Sequence, residues 1–128
     1  MTILVAEWTK RILLGLWCLT WLVVLIVSLR PMPALAADLS DKWLHFLTYA
    51  IMTAGVAGFC HRPGALLRWA AFAILMGGLV ELAQYFVPSR TMELGDFLAD
   101  LGGVAVGLAL AGLWLAVVVR PLRRVAAA

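Results

Sequence analysis

Four apolar runs, at 12–29, 44–60, 66–87 and 97–119, leave this chain few ways to fold. Each has a length in the range of roughly 17 to 25 residues that lets a helix cross a hydrocarbon core of about 30 Å. Lipid offers no partner for backbone N–H and C=O groups, so a crossing segment must be a helix or belong to a closed barrel. A barrel would need alternating polarity, which these runs lack. The expectation is an all-α fold: one domain over 1–128, an integral membrane bundle of four antiparallel transmembrane helices joined by short loops. Composition agrees, because 65% hydrophobic residues and a mean hydropathy of +1.03 lie outside the soluble globular class. Pro31 and Pro33 stop the first helix, HRPG at 61–64 turns the second into the third, and Pro88 ends the third.

The net charge of +3 is spread over helix ends and forms no continuous patch, so it reads as an orientation signal and no nucleic-acid partner is expected. Lys10 and Arg11 precede the first run, Arg62 and Arg68 flank the turn after the second, and Arg120, Arg123 and Arg124 follow the fourth. The other two loops mix Arg30, Lys42 and Arg90 with Asp38, Asp41, Glu93 and Asp96. By the positive-inside rule both termini lie in the cytoplasm, and membrane lipids are the surroundings. Lys10-Arg11, an apolar run and PALAA at 33–37 also resemble a cleavable secretory signal. The run is longer than the roughly 7 to 15 residues of a signal core and contains Trp17 and Trp21, so a retained first helix is expected. Cys18 and Cys60 are expected to be packing residues without a disulfide.

Against this background the polar residues stand out. DKWLHFLTY at 41–49 places Asp41, His45 and Tyr49 four apart, on one helical face, about 6 Å per step. Lys42 joins them at the outer end of the second helix. Glu81 and Gln84 share a face near the outer end of the third, Arg90 follows in the loop, and Asp96 and Asp100 open the fourth. Glu81 is about 9 Å inside its helix end. A carboxylate at that depth is penalised by up to about 3 kcal/mol and must face the bundle interior or a wet cavity. Asp41, Lys42, His45, Tyr49, Glu81, Gln84, Arg90, Asp96 and Asp100 are therefore the candidate pocket, opening to the outer leaflet, with Arg90 paired to Glu93 or Asp96. In the fourth helix Ala99, Gly103, Gly107 and Ala111 form a row of small residues, and Gly103 and Gly107 are read as helix-packing positions. Gly77-Gly78 offers a facing surface in the third.

Three segments, DKWLHFLTY at 41–49, ELAQYFVPSR at 81–90 and DFLADLGGVAVG at 96–107, taken in order, resemble the VanZ-like family of small bacterial membrane proteins, named after a teicoplanin-resistance protein. The resemblance covers about 38–110. In the family pattern the fourth helix reads Asp, then Asn four later, then Gly; here Asp100 takes the Asn position and adds a potential charge. The resemblance implies four transmembrane helices in the bacterial cytoplasmic membrane and a place in the cell envelope, sometimes beside glycan or antibiotic-resistance functions. It supplies no defined activity.

Three functions fit the residues. A membrane enzyme would use His45 as base or nucleophile, with a carboxylate orienting it and Arg90 holding a phosphate or carboxylate. A non-catalytic binder would hold a lipid-linked, glycan or glycopeptide ligand in the same pocket. A structural partner for envelope assembly would use the polar cluster only to fix helix packing. A divalent cation on His45 with Glu81, Asp96 or Asp100 is chemically reasonable, but the spacing carries no metal signature, so neither a metal ligand nor a cofactor is assigned.

Overall fold

The computed structural model describes residues 2–30, 39–88, 90 and 92–126. Among these every regular element is helical: α1 Thr2–Ser28, α2 Leu39–Gly55, α3 Pro63–Gln84 and α4 Leu94–Trp114. α2 tightens into a 3-10 turn, Val56–Gly58, and α4 runs through one π-helical turn, Leu115–Val119, into a final segment, Arg120–Ala126. α1 starts well before its apolar run because residues 2–11 contain neither Gly nor Pro to break it. Pro63 sits in the first turn of α3, where its missing N–H costs nothing, after an extended Arg62. α4 begins after an extended Glu93, with Asp96 in its first turn near the positive end of the helix dipole. Pro31, Pro33 and PALAA lie outside the described residues.

Three of the four helices, over Glu7–Ser28, Pro63–Gln84 and Leu94–Leu122, are long and apolar enough to cross a membrane. The expectation of four is met only in part, because α2 has 17 residues and carries Asp41, Lys42 and His45 in its first turns. Around the outside, Leu22, Leu47, Leu79 and Leu110 are about half exposed, within an apolar surface far larger than a water-soluble monomer shows. Such a surface, with those three helices, is that of a multi-pass membrane protein.

Contacts fix the direction of each helix. Trp17 meets Gly55 and Trp21 meets Tyr49, so α1 and α2 run antiparallel. Gly77 faces Asp100 and Gly78 faces Phe97, so α3 and α4 do too. Gly103 lies against Phe46 and Ala50, and Gly107 against Ala50, Thr53 and Ala54, so α2 and α4 run parallel and close. Gly103 and Gly107 of α4 thus pack on α2, whereas Gly77 of α3 accommodates Asp100.

Below the polar residues lies an aromatic layer. Trp17, Trp21, Phe59, Trp69 and Phe72 meet mostly edge to face, with ring centroids 4.9 to 6.0 Å apart. This geometry suits the ring quadrupoles. Trp17 also donates its indole N–H to the Met52 carbonyl at 2.8 Å, which anchors α1 on α2. Both cysteines are free; Cys60 packs against the core, but Cys18 is exposed on the outer face of α1 and is not a packing residue.

Candidate functional site

Parallel packing of α2 on α4, together with α3 on α4, brings three polar faces together above the aromatic layer. His45, Glu81 and Asp100 form the centre, exposed by 8%, 1% and 0%. His45 Nδ1 lies 2.9 Å from Asp100 Oδ1 and 3.9 Å from Glu81 Oε1. With Asp100 ionised, that hydrogen bond needs the proton on Nδ1, which leaves Nε2 as an acceptor. Glu81 Oε2 accepts the Glu93 backbone N–H at 3.2 Å, so this acid also ties α3 to the start of α4. Asp100 lies close against Gly77 of α3: a Cβ there would stand 2.8 Å from Asp100 Oδ2, so the carboxylate would have to shift. Glu81 Oε1, Asp100 Oδ2, Asp96 Oδ1 and the Tyr49 hydroxyl are buried without a hydrogen-bond partner among the described residues.

Two cations, Arg90 and Lys42, pair with acids around this centre. Arg90 Nη1 donates to Asp41 Oδ2 at 2.9 Å, and its Nε donates to the Arg30 carbonyl at 3.3 Å. The expected pairing of Arg90 with Glu93 or Asp96 is therefore replaced by a longer-range one. Lys42 occupies those acids, 3.0 Å from Glu93 and 3.5 Å from Asp96, because the start of α4 lies along the Lys42 side of α2 while Arg90 faces the ends of α1 and α2. Gln84 Nε2 donates to the Ser28 carbonyl at 3.0 Å, satisfying one of the acceptors left open at the C-terminus of α1.

Beside the centre is a cavity of about 430 Å³ between α1 and α2. Asp41, His45, Tyr49 and Arg90 line it, and the opposite wall comes from Val23, Val24, Val27 and Ser28 of α1 with Arg30 just beyond its end. Lys42, Glu81, Gln84, Asp96 and Asp100 are not in its walls; Glu81 and Asp100 instead lie against Nδ1 of His45, which is in the wall. The α1 contribution escaped sequence reasoning. Trp17, Trp21, Val24 and Ser28 do follow a 4-3-4 spacing, but in a run apolar on every side that spacing marks no face.

The site belongs to a helical multi-pass membrane protein with a buried His–carboxylate centre. No protein-family model matches the chain, and neither a curated protein nor a solved structure does.

Proposed function

We propose that this is a VanZ-like protein of the bacterial cytoplasmic membrane, and that its cavity binds the head of a lipid-linked ligand at the outer leaflet. In this reading all four helices cross. α2 with its 3-10 turn is about 31 Å long, enough for a hydrocarbon core of about 30 Å. The basic residues at 10–11, 62, 68 and 120–124 put both termini in the cytoplasm.

The observation that carries the reading is the mixed lining of the cavity: an aliphatic wall from Val23, Val24, Val27 and Leu44, and a polar end made by Arg30, Asp41, His45 and Arg90. An acyl or prenyl chain suits the first and an anionic or hydroxylated head the second. Two arginines against one aspartate favour an anionic group. His45, oriented by Asp100, has Nε2 available to accept a hydrogen bond or a proton from a bound head.

Native mass spectrometry of the protein purified without delipidation tests this. A discrete co-purifying amphiphile is expected, displaced by Val27→Trp, which fills the aliphatic end without touching the polar cluster. A wild-type protein carrying only bulk phospholipid, or a variant carrying the same ligand at the same occupancy, would overturn the proposal. The second reading, a structural partner for envelope assembly, is favoured by one observation: Gln84 and Arg90 spend hydrogen bonds on the end of α1, at the Ser28 and Arg30 carbonyls. It predicts a protein partner lost on substitution of these residues and no bound amphiphile.

A further inference from the structure

The central acids are more than the ion pairs around them need. Asp41 has Arg90, and Glu93 and Asp96 share Lys42. Among the described residues, Glu81 and Asp100 have His45 alone as a basic side chain between them. Their oxygens Glu81 Oε1 and Asp100 Oδ2, in residues at most 1% exposed, are buried with no hydrogen-bond partner among the described residues. Leaving such a group unsatisfied costs about 1–3 kcal/mol, and more when it is charged.

We propose that His45, Glu81 and Asp100 form a binding site for one divalent first-row transition ion of the zinc or manganese class. The three side chains each offer a ligand atom, all within 4.8 Å of one another. The separations from His45 Nδ1, 2.9 Å to Asp100 and 3.9 Å to Glu81, bracket the roughly 3.0–3.4 Å expected between ligands bound at about 2.1 Å. Two carboxylates and a neutral imidazole carry two negative charges, which a divalent ion balances and a protonated His45 does not. One nitrogen with two oxygens suits zinc, manganese or ferrous iron better than magnesium or calcium, which prefer oxygen alone. A second trio, Asp41, His45 and Asp96, is also close enough, but two of its members already face Arg90 and Lys42, whose charges repel a cation. Three protein ligands leave at least one position for water or a bound group, as in catalytic rather than structural zinc sites. An ion on Nδ1 replaces the proton held against Asp100 and leaves the imidazole proton on Nε2, so in the loaded site His45 donates a hydrogen bond to a head in the neighbouring cavity, whereas in the ion-free site it accepts one.

The test uses the full chain in detergent, tag removed, purified from metal-replete cells without chelator. Elemental analysis should find about one zinc or manganese per chain. Alternatively, a chelator-stripped sample should gain several degrees of melting temperature when Zn²⁺ or Mn²⁺ is added. Glu81→Gln and Asp100→Asn keep side-chain size and should each weaken binding about tenfold or more, while Asp41→Asn should not. Wild-type protein that neither carries nor acquires an ion overturns the proposal and leaves the centre to water or shared protons. Loss of the ion in Asp41→Asn with retention in Glu81→Gln overturns it in favour of the outer trio. If the Glu81 and Asp100 variants do not fold, the absorption spectrum of Co²⁺-loaded wild type decides, since bands of a His–carboxylate complex are required and their absence refutes the site.

Discussion

Replacing Gly107 by alanine tests the α2–α4 packing on which the site rests. A Cβ at 107 would overlap the Ala50 carbonyl oxygen and stand 2.7 Å from Thr53 Cβ and 3.0 Å from the Ala54 nitrogen. Ordinary carbon contacts are about 3.5–4.0 Å, so α2 would have to withdraw by about 1 Å. Two of the three atoms belong to helix backbone, which cannot rotate away as a side-chain tip can. Overpacking of this kind costs about 1–3 kcal/mol, and backbone obstruction places it near the upper end. Alanine returns about 1 kcal/mol through helix propensity, leaving a net loss of about 2 kcal/mol. Gly112 in the same helix is the control: nothing lies within 4 Å of a Cβ there, so Gly112→Ala should gain about 1 kcal/mol. Thermal unfolding in detergent should therefore move in opposite directions for the two variants. If Gly107→Ala raises the melting temperature as Gly112→Ala does, that face looks at lipid and the packing is wrong.

Trp17→Phe removes the donor to the Met52 carbonyl while keeping an aromatic ring, and should cost about 1–2 kcal/mol in the same unfolding assay; no change would mean that α1 is not seated there. Arg90→Ala strips the partner from a largely buried Asp41 and should cost about 3 kcal/mol, part of which Asp41→Asn in the same chain recovers; strict additivity in the double-mutant cycle would deny the pair. Because Trp17 and Trp21 are core residues, the mature protein should retain α1, and an intact mass that begins at Ala37 would contradict this.

What the sequence made readable, and what it hid, follows from how each signal arises. His45, Tyr49, Glu81 and Asp100 were legible because an ionisable or hydroxylated side chain within an apolar run must turn inward. The small-residue row of α4 was legible for the same kind of reason, since lipid-facing positions gain nothing from glycine at every fourth residue. Partner choice was not. Arg90 is near Glu93 and Asp96 in sequence, but its partner Asp41 is 49 residues away and is set by which helix ends meet. Nor could the sequence show that α1 walls the cavity, since burial within a uniformly apolar helix leaves no periodic trace.

The packing glycines and the polar centre are parts of one arrangement. On α4 the buried residues are Asp96, Asp100, Gly103, Val104, Gly107 and Ala111, polar at one end and apolar, mostly small, at the other. Gly103 lies one turn beyond Asp100, and the backbone it admits is the Phe46 carbonyl, next in sequence to His45. Any side chain at 103 would push away the segment of α2 that carries the imidazole, so the 2.9 Å approach of His45 to Asp100 depends on glycine one turn away. Gly77 does the same from the other side, leaving room on α3 for the Asp100 carboxylate. Glycine lowers helix propensity by about 1 kcal/mol at each position, a cost that close packing and a precisely held His–carboxylate centre together explain.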